Sequence, residues 1–355
     1  MKLFQCGNCE HSLFFENSVC ENCGHLAGYR DAAREVLTFA AEAREMISDR
    51  AGVHYRYCAN NVYDVCNWLI PADSPHQYCR ACQLNRTVPN LADPANVTKW
   101  QSLENAKHRL IYQLQRLGLP LVSKLVDEEV GLCFDFVARD GRADLMTGHA
   151  EGVVTILLSE ADSVVREENR KQFKEPYRTL IGHLRHEVGH YYWDRLVAAD
   201  DDALAAFRRQ FGDERRDYGE ALQAYYASGA PEGWRAAHIS AYATAHPWED
   251  WAETWAHYLH IVDMVETAYY FGVAVDPVGP MDTMATDVPF DPYDATDFDV
   301  IVERAVPLSY AVNSINRAMG IPDVYPFVIS TRVREKLTFV HELVATRRRA
   351  SALAN

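Results

Sequence analysis

His186, Glu187 and His190 stand in the order His-Glu-x-x-His inside Glu175–Arg195, which reads EPYRTLIGHLRHEVGHYYWDR. Leu180, Ile181, Leu184, Val188 and Tyr191 recur at helical spacing and predict an amphipathic helix. Side chains four apart share a helix face, so His186 and His190 can direct ring nitrogens at one ion. Glu187, one residue on, leans towards the coordination position left open. A carboxylate there can polarise a metal-activated water and carry its proton to a leaving amine. On a solvated helix the same residues would be two histidines and a surface charge.

Two histidines alone do not hold a catalytic zinc; a third protein ligand is needed, with a fourth position left for water. A compact continuation would place glycine and histidine three and six residues past His190, but Trp193 and Leu196 stand there. Further on the chain reads AYATAHPWEDWAETW, Ala241 to Trp255. Glu249 and Glu253 are one helical turn apart, just inside a helix that Pro247 can start. One carboxylate can bind the metal while the other accepts a proton from a ligand histidine and fixes its tautomer. In water they would be two surface charges; the interleaved Trp248, Trp251 and Trp255 predict burial instead.

Eight of the nine cysteines fall in the first 82 residues. Cys6, Cys9, Cys20 and Cys23 form two CxxC knuckles. Each knuckle turns two thiolates to one side of a tight loop, and Gly24 eases the chain into a left-handed conformation. Two knuckles complete a closed four-thiolate zinc site. Residues 1–29 are too few for a sufficient core, so the metal would supply most of this ribbon's folding free energy. Cys58, Cys66, Cys79 and Cys82 predict a second structural zinc. There the wider Cys58–Cys66 interval leaves open a variant in which His54 or His76 joins Cys79 and Cys82. Without a secretory pattern at the start of the chain, zinc is preferred to disulfides. Cys133, in GLCFDFVA, reads as a small buried hydrophobe on a strand.

The elements that must position these residues follow from periodicity. Asp31–Ser48 reads as a helix spacing the ribbon from the second cysteine set. Val88–Asn96 reads as a domain boundary, dividing residues 1–29 (ribbon), 30–95 (helical spacer and second cysteine segment) and 96–355. Leu103, Ala106, Leu110, Leu114 and Leu117 mark a helix over Trp100–Leu117. Val130–Ala138 and Val153–Ser159 read as neighbouring strands around a turn at Asp140-Gly141-Arg142. His149, before the second of them, could reach the site, though an exposed turn histidine is the preferred reading. Helices are predicted for the His-Glu-x-x-His segment, Asp202–Gln210, Gly219–Ala227, Pro247–Tyr270, Asp297–Met319 with a kink at Pro307, and Arg332–Arg348. The fold class is α+β and mostly helical.

The net charge of −15, from 35 basic and 50 acidic residues, argues against a nucleic-acid surface over most of the chain. Residues 1–90 carry eight Lys/Arg against ten Asp/Glu, so the cysteine-rich part offers no basic stripe. A protein partner for the ribbon is the better expectation. Between Arg235 and Arg304 thirteen acidic residues occur without a Lys or Arg. That run would hold a cation and repel acidic ligands, although Asp282–Asp299 reads better as a solvated acidic loop; the acidic surroundings of Glu249 favour substrates carrying Lys or Arg near the scissile bond. No segment approaches transmembrane length, and a cytoplasmic location is expected.

These motifs together resemble a known family. The His-Glu-x-x-His helix and a later helix with two acidic residues a turn apart resemble a gluzincin-type zincin metallopeptidase. The ribbon, CRACQLNRTVPNL, EPYRTLIGHLRHEVGHYYWD, HPWEDWAE and NSINRAMGIPDVYPF resemble the bacterial zinc-binding metallopeptidases with an N-terminal zinc ribbon, over nearly the whole chain. The resemblance implies a zincin-like domain, a peptide or protein substrate and one catalytic zinc. It makes His186, His190 and Glu249 the ligands, Glu187 the general base and acid, and Glu253 the residue that orients a histidine. Some related proteases carry an oxyanion-steadying tyrosine seven residues before the glutamate ligand; Tyr242 holds that place. The interval from His190 to Glu249 is much longer than in thermolysin-like enzymes, so Glu253 stays a rival ligand. His183, a turn before His186, could replace a ligand but reads better as supporting one or lining the rim; Asp194 reads as pairing with Arg195 or backbone; Asn313, Asn316 and Arg317 could bind a substrate backbone or equally cap and pack the tail. Two rival readings are a binding module on a zincin scaffold and a nucleic-acid-associated protease.

Overall fold

The computed structural model describes residues 1–44, 47–139, 145–172, 175, 177–279 and 282–353. The expected turn at Asp140, Gly141 and Arg142 lies outside the described residues. The strands are β1 (Phe4–Gln5), β2 (Ser12–Leu13), β3 (Leu26–Arg30), β4 (Glu35–Phe39), β5 (Ile47–Ser48), β6 (His54–Tyr57), β7 (Trp68–Pro71), β8 (Asn85–Thr87), β9 (Cys133–Val137), β10 (Gly148–Ala150) and β11 (Val153–Leu157). The helices are α1 (Pro94–Arg116), α2 (Ser163–Gln172), α3 (Leu180–Trp193), α4 (Asp201–Phe211), α5 (Tyr218–Ser228), α6 (Pro247–Phe271), α7 (Phe298–Ala318) and α8 (Thr331–Leu353). The chain is thus α+β and mostly helical. It divides into two compact units: residues 1–112, 122–148 and 153–163, and residues 113–121, 149–152 and 164–355.

In the first unit β1 and β2 pair antiparallel, and a five-stranded sheet runs in the order β4-β3-β7-β6-β5. Its core is aromatic: Phe15 and Tyr29 lie 4.7 Å apart and Tyr29 and Trp68 4.8 Å apart, with Tyr112 of α1 against Phe15. β11 and β8 both flank β9 in parallel, and Cys133 is fully buried on β9.

The helix expected over Asp31–Ser48 is not formed. β4 occupies its centre and pairs antiparallel with β3, from Leu26 opposite Phe39 to Arg30 opposite Glu35. The consecutive Val36, Leu37, Thr38 and Phe39 suit a pleated strand, and that pairing outweighs the helical propensity of the surrounding alanines. Arg34 takes the left-handed conformation (φ 53°) that closes the hairpin.

The second unit is built on α3 and α6. The Trp251 indole donates to the Gly189 carbonyl at 2.8 Å, and the Tyr192 and Trp255 rings stack at 5.0 Å. A Cβ on Gly189 would stand 3.1 Å from the Ala252 Cα and from Trp255, so glycine is what lets the two backbones approach. α2 was not anticipated from the sequence, and α7 continues through a buried Pro307. Asn313 brackets Tyr325 by donating to its carbonyl and accepting from its amide at 2.8 and 3.0 Å. Asn316 donates to Pro322 O and Arg317 pairs with Asp323, so all three residues pin the tail.

Candidate metal centre

Local signals deliver each side chain of the centre. Thr179 caps α3 by accepting from Gly182 N at 3.1 Å. From that start, His186 and His190 share one face of the helix, a turn apart. His246 caps α6: its Nδ1 accepts from Trp248 N and its Nε2 donates to Arg216 O, both at 3.1 Å, so one tautomer satisfies both bonds. Pro247 follows at the first helical position, and Glu249 falls in the first turn, where the helix dipole favours a carboxylate.

One ligand atom each from His186, His190 and Glu249 converge, all within 4.8 Å of one another. His186 Nε2 lies 3.0 Å and His190 Nε2 3.7 Å from Glu249 Oε2. That oxygen is buried and has no hydrogen-bond partner, and Glu249 is 1% exposed. A buried carboxylate oxygen facing two imidazole nitrogens is a donor set suited to a divalent cation. Glu253 accepts from His186 Nδ1 at 2.7 Å, behind the ring. Of the two acidic residues, Glu249 therefore faces both histidines, and Glu253 faces the far nitrogen of one.

The electrostatics agree with a site for positive charge. Burial works to lower the His186 pKa, yet the Glu249 and Glu253 carboxylates on either side of the ring hold it well above the usual imidazole range. Burial works to raise the Glu249 pKa, but His186, His190 and the Tyr218 hydroxyl bring it down to about 2. His190 has neither carboxylate behind it, and burial pushes it down to about 3. Its ring is instead held by Trp248, with centroids 4.0 Å apart.

Glu187 is half-buried, and its charge helps to push up the phenols of Tyr218 and Tyr242, after burial and the nearer Glu249. The Tyr242 ring lies 6.0 Å from that of His186. Tyr218 was missed by the sequence reading: it opens α5 and donates its hydroxyl to Glu249 Oε1. The Asp217-x-x-Glu220 capping pattern would have started a helix at Tyr218, but nothing local points it at residue 249. His149, expected as an exposed turn residue, is half-buried instead. Its ring stacks on that of His190 at 6.2 Å and also meets Trp248.

Both cysteine sets assemble in the first unit, and all nine cysteines are free thiols. Cys6 and Cys23 sulfurs lie 3.7 Å apart, Cys9 and Cys20 3.6 Å, and Cys66 and Cys79 3.7 Å. Four sulfurs at about 2.3 Å from a central zinc would be about 3.8 Å apart, whereas a disulfide needs about 2.0 Å. Glu10 and Gly24, each following the second cysteine of a knuckle, both have positive φ (61° and 73°). In the second set all four cysteines are buried and none of the four places goes to His54 or His76. His108 of α1 approaches instead, its Nε2 3.8 Å from Cys82 Sγ.

Comparison with known proteins adds the following. The family model described as "Putative zinc-binding metallo-peptidase" matches residues 96–343, and a zinc-ribbon domain model matches residues 3–93. Uncharacterized proteins of Mycobacterium bovis and of two Mycobacterium tuberculosis strains are each 40% identical over 344 residues, covering 97% of this chain and 95% of their own. No solved structure matches.

Proposed function

The chain belongs to the zinc-binding metallopeptidase family, with a zinc-ribbon domain at its N-terminus, and from that premise we propose that it hydrolyses peptide bonds in a peptide or protein substrate. The observation that carries this reading is the convergence of His186, His190 and Glu249, with Glu187 next to His186 on the same helix. His186, His190 and Glu249 would hold one zinc ion. When bound, zinc supplies Lewis acidity, acidifying a water and polarising the scissile carbonyl. Glu187 takes the proton from the attacking water on its carboxylate and returns it to the leaving nitrogen. Glu253 fixes the His186 tautomer with the proton on Nδ1, so Nε2 presents its lone pair. Tyr218 steadies Glu249 through Oε1 and leaves Oε2 for the metal. Tyr242 donates to the developing oxyanion. Burial and the Glu249 charge raise the pKa of both phenols, so each remains an O–H donor at neutral pH.

The two four-cysteine sets would each hold a structural zinc. The eight Lys/Arg against ten Asp/Glu of residues 1–90 favour a protein partner for this region over a nucleic acid. Among the described residues no helix is long and apolar enough to cross a membrane. The reading is tested by digesting an unstructured protein with the zinc-loaded chain. Fragments should appear, disappear with a chelator and return with added zinc. Fragments equally abundant with the chelator would refute it.

A further inference from the structure

A cavity of about 370 Å³ opens in the second unit, between the end of α2, the turn Trp234–Ala236, the loop at Ile239 and Ala241, and the segment 326–328. Two ties place it beside the metal centre. Ile239 and Ala241 line the cavity, and Tyr242, next in the chain, has its ring 6.0 Å from that of His186. On the other wall the Phe327 ring lies 4.1 Å from that of His257, one helical turn beyond Glu253 on α6.

The walls are fixed from several directions. Tyr325 bonds His257 Nδ1 through its hydroxyl at 2.9 Å, and its backbone is bracketed by Asn313. Ser330 donates to Ala236 O at 2.9 Å, tying the tail to the turn that carries Trp234 and Arg235. This is the structural use of the NSINRAMGIPDVYPF motif: it sets Phe327 against α6.

The charge of the cavity differs from that of the chain. Arg170, Lys171 and Arg235 line it against one carboxylate, Glu175, which Arg178 already engages at 3.0 Å. Arg170 is held by Glu167, but Arg235 lies over the Trp234 ring at 4.5 Å with no carboxylate partner among the described residues. An arginine stacked on an aromatic face keeps its donors free for a planar, bidentate acceptor.

We propose that this cavity is a substrate subsite that receives a carboxylate of the bound peptide, a few residues from the scissile bond, with Arg235 as its charged contact and Trp234 and Phe327 as apolar walls. The proposal rests on the peptidase reading above and deepens it. It adds to the expectation of Lys or Arg near the scissile bond a contact for an anionic group farther along the peptide, because the cations of α2 and the turn face this cavity. The carboxylate can belong to a Glu or Asp side chain or to the peptide C-terminus; the chemistry recognised is the same.

The test measures binding rather than turnover, so it separates from the hydrolysis reading. Zinc-loaded full-length Glu187→Gln protein is titrated with Ala-Ala-Phe-Ala-Glu-Ala labelled at its N-terminus with an uncharged BODIPY dye, as the free acid, as the C-terminal amide, and as the amide with Gln for Glu. Anisotropy should show at least one carboxylate form binding about tenfold more tightly than the neutral peptide, and which form does so identifies the source. Adding Arg235→Glu should abolish the difference, and Arg235→Lys should keep part of it. Equal affinities for all three peptides, no saturable binding, or a preference untouched by Arg235→Glu would overturn the subsite. If the preference holds but wild type cleaves none of the peptides, the hydrolysis reading fails and the subsite stands.

Discussion

Glu253 accepts the Nδ1 proton of His186 at 2.7 Å, on the opposite side of the ring from the Nε2 that looks at Glu249. The two carboxylates, one turn apart on α6, thus meet the same imidazole in different ways. Glu249→Ala should abolish zinc binding at this centre and leave the cysteine sites loaded. Glu253→Ala should weaken it by roughly ten- to a hundredfold, as losses behind a ligand do. Competition with a chromophoric chelator measures both. Exchanged effects would make Glu253 the ligand.

We expect three zinc ions per chain, one in each four-cysteine set and one at the centre of His186, His190 and Glu249. Native mass spectrometry of protein purified without chelator should show them, and Cys79→Ser should remove one. A single zinc, or disulfides among Cys6, Cys9, Cys20 and Cys23, would contradict this account of the N-terminal region.

The contact between α3 and α6 predicts a cost for one methyl group. In Gly189→Ala the new Cβ meets the Ala252 backbone and Trp255 at 3.1 Å, and backbone cannot yield as a side-chain tip can. Loss of about 1–3 kcal/mol is expected, read as a lower thermal midpoint with reduced zinc retention. An unchanged midpoint would mean that the helices separate freely.

Much of this centre was legible because its signals are local. The i, i+4 histidines and the His-Pro start of α6 need only helical geometry, and the CxxC knuckles need only a turn. What was missed depends on distant contacts. Tyr218 reaches Glu249 because His246 holds the Arg216 carbonyl, a link that no spacing in the sequence announces. His149 could reach the site from its place in the sequence, but only the fold decides that over an exposed turn and sets its ring against His190. The Asp31–Ser48 error has the same origin: alanines favoured a helix, and pairing with β3 decided for a strand.

Acid should destabilise the fold through buried neutral imidazoles. Burial pushes His257 down to about 4, and it is 4% exposed against Tyr325 and Phe327. Between that value and the ordinary value near 6.5 the unfolded chain binds the proton and the folded chain does not, so stability falls as pH drops through this window. The contribution is up to about 3 kcal/mol, complete near pH 4. Urea unfolding between pH 7 and 4 should show a shallower loss for His257→Asn than for wild type. Parallel losses would contradict the assignment.

The central claim is that Glu187 moves the proton in peptide hydrolysis at the centre formed by His186, His190 and Glu249. The most direct measurement compares wild type with Glu187→Gln, which keeps size and helix but cannot accept a proton at neutral pH. Both proteins are loaded with zinc, their metal content is verified, and a peptide library is digested and read by mass spectrometry. The account predicts equal zinc, the same fold, and cleavage by Glu187→Gln reduced by about 10²- to 10⁴-fold or more, since the base and acid roles vanish together. Equal cleavage by the two proteins, or no cleavage by zinc-loaded wild type, would contradict it.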